Sequence, residues 1–261
     1  MREPGPDNRW ALRIDAPGWA FNRAGRAIGT IRPMPERPAK PDQPSRRRRQ
    51  IPNQLTILRV MLAIAMFATL AIGLDAEPQP TPMAADRLVL FIAAALFILG
   101  AITDALDGYL ARKWSVVSVF GRVMDPFADK LLVLGALVML AGPGFVAIDT
   151  STGPPVRYLA SGVSAWIAVA ILGRELLVTS IRAVAEGAGV NFQASWSGKW
   201  KMILQSIVVP IVLVMVATLD CRPGTWVRWT IDILVWATLA ITLWSAIPYI
   251  RRIRGVMDSH T

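Results

Sequence analysis

Histidine and cysteine are almost missing from this chain of 261 residues, which holds one of each, His260 beside the C-terminus and Cys221. A lone terminal histidine leaves no material for a Ser/His/Asp triad or a histidine nucleophile. A single cysteine excludes a disulfide framework and paired-thiol chemistry. Acidic residues are scarce as well, 18 against 28 Lys and Arg, for a formal net charge of +10. The first residues lack an apolar h-region, so no secretory signal peptide is expected. There is no internal repeat.

Apolar residues are plentiful instead. They make up 54% of the chain, a fraction that points to a membrane protein. Six apolar runs, at about 55–74, 86–110, 127–148, 159–184, 200–219 and 226–249, each approach the roughly 20 residues that cross a bilayer as a helix. The expected fold is therefore all-α, a polytopic membrane protein of six transmembrane helices. Residues 1–50 carry recurrent arginine, ending in Arg46 to Arg49, among prolines and glycines. They read as a disordered basic tail, followed by a membrane domain at 51–255 and a short tail at 256–261. The tail's charge serves either to fix topology or to attract anionic lipid. Basic residues precede the first span, surround Arg112 and Lys113, recur from Arg182 to Lys201, and follow Tyr249; the intervening loops hold only Arg157 and Arg222. That alternation puts both termini on the cytoplasmic side, at the cell (inner) membrane. The ten tryptophans, Trp226, Trp229 and Trp244 among them, suit interfacial belts and packing.

One polar stretch interrupts the apolar pattern: TDALDGYLARKWSVVSVFGRVMDPFADK, Thr103 to Lys130. It sets Asp104, Asp107, Asp125 and Asp129 against the ends of two apolar runs, where each ionised carboxylate costs on the order of 3 kcal/mol without water or cations. At about 100° per residue, Asp104, Asp107, Gly108, Ala111 and Arg112 share one helix face. If a second helix starts near Val123, Asp125 and Asp129 stand one turn apart on it, with Pro126 in the first turn, where its missing N–H is tolerated. Hard oxygen donors without nearby His or Cys select Mg²⁺ or Mn²⁺ over zinc. Two carboxylate pairs have the capacity for two cations, the arrangement that clamps attacking and leaving oxygens in phosphoryl transfer. Gly108, Ala111 and Gly121 leave room for a bulky ligand at the backbone.

The spacing D-x2-D-G-x2-A-R-x8-G-x3-D-x3-D, from Asp104 to Asp129, resembles the full signature of the CDP-alcohol phosphotransferases, integral membrane enzymes of phospholipid synthesis. Residues 51–205 are similar to the phosphatidylglycerolphosphate synthases within that family. The resemblance rests on the phrase from Ile51 to Arg59, on GRELLVTSIR from Gly173, and on GVNFQASWSGKWKMILQ from Gly189, with Met202 where a threonine is usual. It implies CDP-diacylglycerol and sn-glycerol 3-phosphate as substrates, phosphatidylglycerol phosphate and CMP as products, and a homodimer. It also implies that Asp104, Asp107 and Asp125 hold metal, that Asp129 shares a metal and acts as general base, and that Gly108, Ala111, Arg112, Gly121 and Asn53 bind CDP-diacylglycerol. Relatives using phosphatidylglycerol, serine or inositol phosphate as acceptor are the alternative; a divalent-cation channel or transporter is the remote one.

Outside the motif, several residues keep two readings. Asn53 serves as a helix cap or contacts substrate, and Arg59 falls near the headgroups. Arg174 and Arg182, about 80° apart on one helix, either pair with Glu175 and snorkel outward, or receive the phosphate of an acidic acceptor together with Lys199. Lys201 is either a flanking charge or part of that site.

Overall fold

The computed structural model describes residues 13–16, 19–21, 27–30, 46–75, 77, 84–114, 119–151, 153–187 and 196–251. The chain divides into two units, Met1–Pro44 and Ser45–Thr261. In the first, strands β1 (Arg13–Ala16), β2 (Trp19–Phe21) and β3 (Ala27–Thr30) form an antiparallel sheet in that order. The rest of the segment expected to be a disordered tail lies outside the described residues, up to Arg46, where a helix begins.

The second unit is mostly helical. Its helices are α1 (Arg46–Gly73), α2 (Ala84–Trp114), α3 (Val119–Leu140), α4 (Ala165–Gly187), α5 (Trp196–Thr218) and α6 (Trp226–Trp244). Among the described residues, four segments are long and apolar enough to cross a membrane: Asn53–Gly73, Asp86–Leu110, Lys201–Thr218 and Trp226–Arg251. The two helices left out, α3 and α4, carry Asp125, Asp129 and Lys130, and Arg174, Glu175 and Arg182. Charge, not length, separates them from the others.

The third and fourth apolar runs depart from expectation at their outer ends. Gly142, Pro143 and Gly144 stop α3 at Leu140, and a 3-10 turn at Pro143–Phe145 leads into strand β4 (Val146–Asp149). This pairs antiparallel with β5 (Val156–Leu159), so residues 146–148 and 159 are hairpin rather than helix. β-branched Val146, Ile148 and Val156 favour that extended backbone. Ser161 Oγ donates to the carbonyl of Leu140 at 2.5 Å, satisfying one of the orphan acceptors that a helix end leaves. Thr225 caps α6 by accepting from the Arg228 N–H.

Packing follows membrane rules. Between helices in lipid, close van der Waals fit replaces the hydrophobic drive, and small side chains permit it. Ala63, Ala93, Ala94 and Ala136 are buried among Met66, Leu90, Phe97 and Leu132. Gly135 of α3 takes the ring of Phe67 from α1, where a Cβ would lie 2.0 Å from Cζ. Helix α1 packs on α2 and α3, α2 on α5, and α6 on α5 and α4. Outward, the helices present large apolar side chains such as Ile64, Leu88, Val169 and Ile233, each at least half exposed. Trp226 and Trp229 are exposed at one end of α6 and Trp244 at the other. Trp226 and Trp244 are separated by about 27 Å of helix, close to the hydrocarbon thickness of a bilayer, as an interfacial belt requires.

Candidate active site

Helix α2 continues unbroken through Trp114, so Asp104 and Asp107 stay one turn apart near its C-terminal end. Helix α3 starts at Val119, four residues earlier than the expected Val123, which places Pro126 inside it instead of in its first turn. Pro126 has no N–H to offer the Arg122 carbonyl, so the helix gives up one rung next to Asp125. Asp125 and Asp129 keep their one-turn spacing.

What joins the two carboxylate pairs is α1. Arg59, expected near the headgroups, is fully buried. Its Nη1 lies 2.7 Å from Asp104 Oδ1, and its Nη2 donates to Asp107 Oδ2. One helical turn before it, Thr56 Oγ1 donates to Asp125 Oδ1 at 2.6 Å. Spaced by three residues, Thr56 and Arg59 share a face of α1 and reach α3 and α2 from it. Asp107 also lies within electrostatic reach of Asp104 and Asp125, and Asp129 within that of Asp104, Arg59 and Lys201. The four carboxylates thus lie on neighbouring parts of α2 and α3, within electrostatic reach of one another or of Arg59. Among the described residues, however, no three acidic side chains converge as a ready metal-ligand group. Two of them are turned to Arg59 and one to Thr56.

The donor set nevertheless fits a hard divalent cation. It consists of carboxylate oxygens from two adjacent helices with one hydroxyl beside them, the chemistry that suits Mg²⁺ or Mn²⁺. Gly108 is half-buried on α2 and Gly121 is buried on α3. Ala111 and Arg112 lie on α2, and Lys199 in the first turn of α5, but their side chains fall outside the described residues. Asn53 is no cap: α1 already runs back to Arg46, and Asn53 sits half-buried within it.

A second polar cluster lies on α4, α5 and α6. Arg174 spends all three guanidinium nitrogens inside the bundle, on the Thr242 carbonyl at 3.0 Å, on Glu175 Oε1 at 2.8 Å and on Ser245 Oγ at 2.6 Å. That differs from the expected role of holding an acceptor phosphate; the side chain ties α4 to α6. Lys201 donates to the same Glu175 oxygen and is equally buried, so it is more than a flanking charge. Gln205 Nε2 donates to Thr242 Oγ1 at 3.2 Å. Arg182 is half-buried, donates from Nη2 to the Tyr249 hydroxyl at 3.2 Å, and holds its Cζ 5.7 Å from the centroid of that ring. Among the described residues its buried Nε has no hydrogen-bond partner. A narrow cleft lies between the clusters, lined by Asp129, Lys130, Glu175, Lys201, Gln205 and Ser206. Larger clefts at the opposite end of α2, near Asp86 and Arg222, contain none of the motif residues.

Thr56 and Arg59 escaped the sequence reading as site residues, as did the pairing of Lys201 with Glu175. The signal was present for Arg59, since an arginine inside an apolar span must find an anion or water.

These features define a helical membrane protein with a buried carboxylate and cation site near the ends of its helices. The chain belongs to the CDP-alcohol phosphatidyltransferase family, whose model matches residues 49–244. It is 30% identical over 210 residues to a Haemophilus influenzae protein named CDP-diacylglycerol–glycerol-3-phosphate 3-phosphatidyltransferase, covering 78% of this chain and 94% of that one. Proteins of the same name from Escherichia coli K12 and Bacillus subtilis 168 are similar too. The first is 31% identical, over 78% of this chain and 95% of that one; the second is 35% identical, over 62% and 76%. It is thus a phosphatidyltransferase of phospholipid biosynthesis, using CDP-diacylglycerol and an alcohol acceptor.

Proposed function

We propose that this chain transfers the phosphatidyl group of CDP-diacylglycerol to sn-glycerol 3-phosphate, forming phosphatidylglycerol phosphate and CMP. The observation that carries the reading is that Asp129, one turn from Asp125, lines a cleft together with Lys201 and Gln205. The names of the relatives at about 30% identity support the acceptor.

A hydroxyl oxygen of the acceptor attacks the phosphorus that bears diacylglycerol, and the bond from that phosphorus to the CMP oxygen breaks. Asp129 takes the hydroxyl proton as general base. Asp104, Asp107, Asp125 and Asp129 are the residues that would hold Mg²⁺ or Mn²⁺, which supplies charge neutralisation on the transferring group. Gly108, Ala111, Arg112, Gly121 and Asn53 are the proposed contacts of CDP-diacylglycerol. Arg182 and Lys199 receive the acceptor's phosphate, while Arg174 fixes α4 and with it the direction of Glu175 and Lys201. These fixed charges supply preorganised electrostatics in a site of low dielectric.

In this reading α3 and α4 also span the bilayer, making six spans. Their charged residues face the site instead of lipid, and the basic loops put the site and both termini on the cytoplasmic side. The test is to incubate the purified protein with CDP-diacylglycerol and, separately, sn-glycerol 3-phosphate, phosphatidylglycerol, serine and inositol phosphate, and to identify the lipid product. Phosphatidylglycerol phosphate with stoichiometric CMP is expected. Another product would reassign the acceptor, and no CMP release with any alcohol would overturn the activity.

A further inference from the structure

Arg59 is the one guanidinium, among the described residues, wedged between two motif carboxylates. Its side chain has no solvent exposure, whereas that of Asp104 is 36% exposed. A buried arginine is always charged, so it needs anions as much as the aspartates need cations. Its hold on them is nevertheless incomplete. Nη2 makes a hydrogen bond to Asp107, but Nη1, although 2.7 Å from Asp104 Oδ1, is misaligned for one, and among the described residues Nε has no hydrogen-bond partner. Guanidinium donors left unsatisfied in a buried site mark a contact that can be outcompeted. The exposed side of Asp104 gives an ion from solution a way in.

We infer that Arg59 is a built-in counter-ion for Asp104 and Asp107, which keeps the carboxylates compensated without metal and competes with divalent cations for the same oxygens. It thereby sets how much divalent cation the protein needs. This rests on the reading of the motif aspartates as cation ligands. Two consequences follow from electrostatics. Removing the positive charge leaves the buried Asp107 and the partly exposed Asp104 uncompensated, so the metal-free protein loses stability. The same removal takes away both a competitor and a repulsive charge beside the cation, so the cation binds more tightly. A residue that only oriented the ligands would act the other way, since loss of such a partner weakens metal binding.

The experiment compares the full-length wild-type chain with Arg59→Gln and Arg59→Lys in detergent, following thermal unfolding in chelator and across a Mg²⁺ titration. Arg59→Gln is expected to unfold at a lower temperature in chelator, and to reach half-maximal Mg²⁺ stabilisation at a concentration about tenfold lower than wild type. Arg59→Lys, which keeps the charge, is expected to stay near wild type in its Mg²⁺ requirement. Should Arg59→Gln fail to fold in chelator, Mg²⁺ present throughout purification is expected to rescue it; failure under both conditions overturns the inference. An unchanged or higher Mg²⁺ requirement in a folded Arg59→Gln also overturns it. If wild type itself shows no Mg²⁺ stabilisation and no CMP release from CDP-diacylglycerol, the proposed function has failed. If wild type shows both and only the shift is missing, the inference about Arg59 alone has failed.

Discussion

Glu175 of α4 accepts through one oxygen, Oε1, from both Arg174 of its own helix and Lys201 of α5. All three side chains are at least nine-tenths buried. A carboxylate between two cations leaves the triad with net positive charge, and Asp129 is the acidic group across the cleft from it. Replacing Glu175 by Gln would leave two buried cations without their anion. Such a break costs about 3 kcal/mol or more, a fall of roughly 10 °C in the unfolding midpoint for a domain of this size. Adding Lys201→Met to that variant is expected to recover part of the loss. Thermal unfolding of the two variants checks it, and equal midpoints would show that Lys201 does not depend on Glu175.

Asp129 sits where base chemistry and acceptor binding meet, and its replacement should separate them. Asp129→Asn keeps the shape and removes the ability to accept a proton. Turnover is expected to fall by about 10²-fold or more with the KM for acceptor little changed. Steady-state kinetics with CDP-diacylglycerol saturating makes the comparison. Normal turnover would remove Asp129 as the base.

The two arginines of α4, equivalent by sequence, are expected to behave differently. Arg174 has every nitrogen engaged within the bundle, whereas Arg182 keeps a buried Nε without a hydrogen-bond partner among the described residues. Arg182→Ala should raise the KM for sn-glycerol 3-phosphate by about tenfold, the worth of one charge-assisted contact. Arg174→Ala should chiefly lower the unfolding midpoint, because it strips a hydrogen bond from the Thr242 carbonyl and another from Ser245. A KM effect confined to Arg174 would reverse the assignment.

Local spacing made part of this molecule readable in its sequence. The carboxylate pairs sit one helical turn apart, and any helix through those residues reproduces that geometry, wherever it starts. The start itself was not readable: α3 begins at Val119, and Pro126 is carried inside because the packing of Ala128 and Leu132 holds the helix across the missing rung. The contacts that build the site were hidden for another reason. Arg59 and Asp107 are 48 residues apart, and Glu175 and Lys201 are 26 apart. No periodicity within one helix encodes which faces of two helices meet. The hairpin at β4 and β5 was hidden too, because Val146, Ile148 and Val156 are as apolar as a membrane span and differ from one only by the glycines and proline before them.

Cys221 gives a probe of the loop between α5 and α6. Burial pushes its thiol up to about 11, and the neighbouring Asp220 carboxylate adds to the shift. A raised thiol pKa means the unreactive neutral form prevails at every pH below it, so at pH 8 about one molecule in a thousand carries the thiolate. Maleimide labelling of the folded protein should therefore be slow at pH 8 and speed up as pH rises towards 11. Denatured protein should label roughly a hundredfold faster at pH 8. Rapid labelling of folded protein at pH 8 would mean that the loop is open.

Thr56 supplies the contrast that isolates charge at the aspartate site. It touches Asp125 much as Arg59 touches Asp107, from the same face of α1, but brings a neutral hydroxyl at 2.6 Å. Thr56→Val is close in volume and removes that donor. With no cation deleted there is no competitor to lose, so the remaining effect is orientation: Asp125 gains rotamers that a bound cation must then suppress. Mg²⁺ stabilisation should reach its half-maximum at a concentration about tenfold higher than in wild type, the usual worth of a partner that orients a metal ligand. The metal-free protein should lose the worth of one hydrogen bond to a charged group, about 2 kcal/mol, a fall of roughly 6 °C in its midpoint. The Mg²⁺ requirement thus moves up when α1 loses Thr56 and down when it loses the charge of Arg59. If both variants moved it upward, α1 would act on the carboxylates through shape alone.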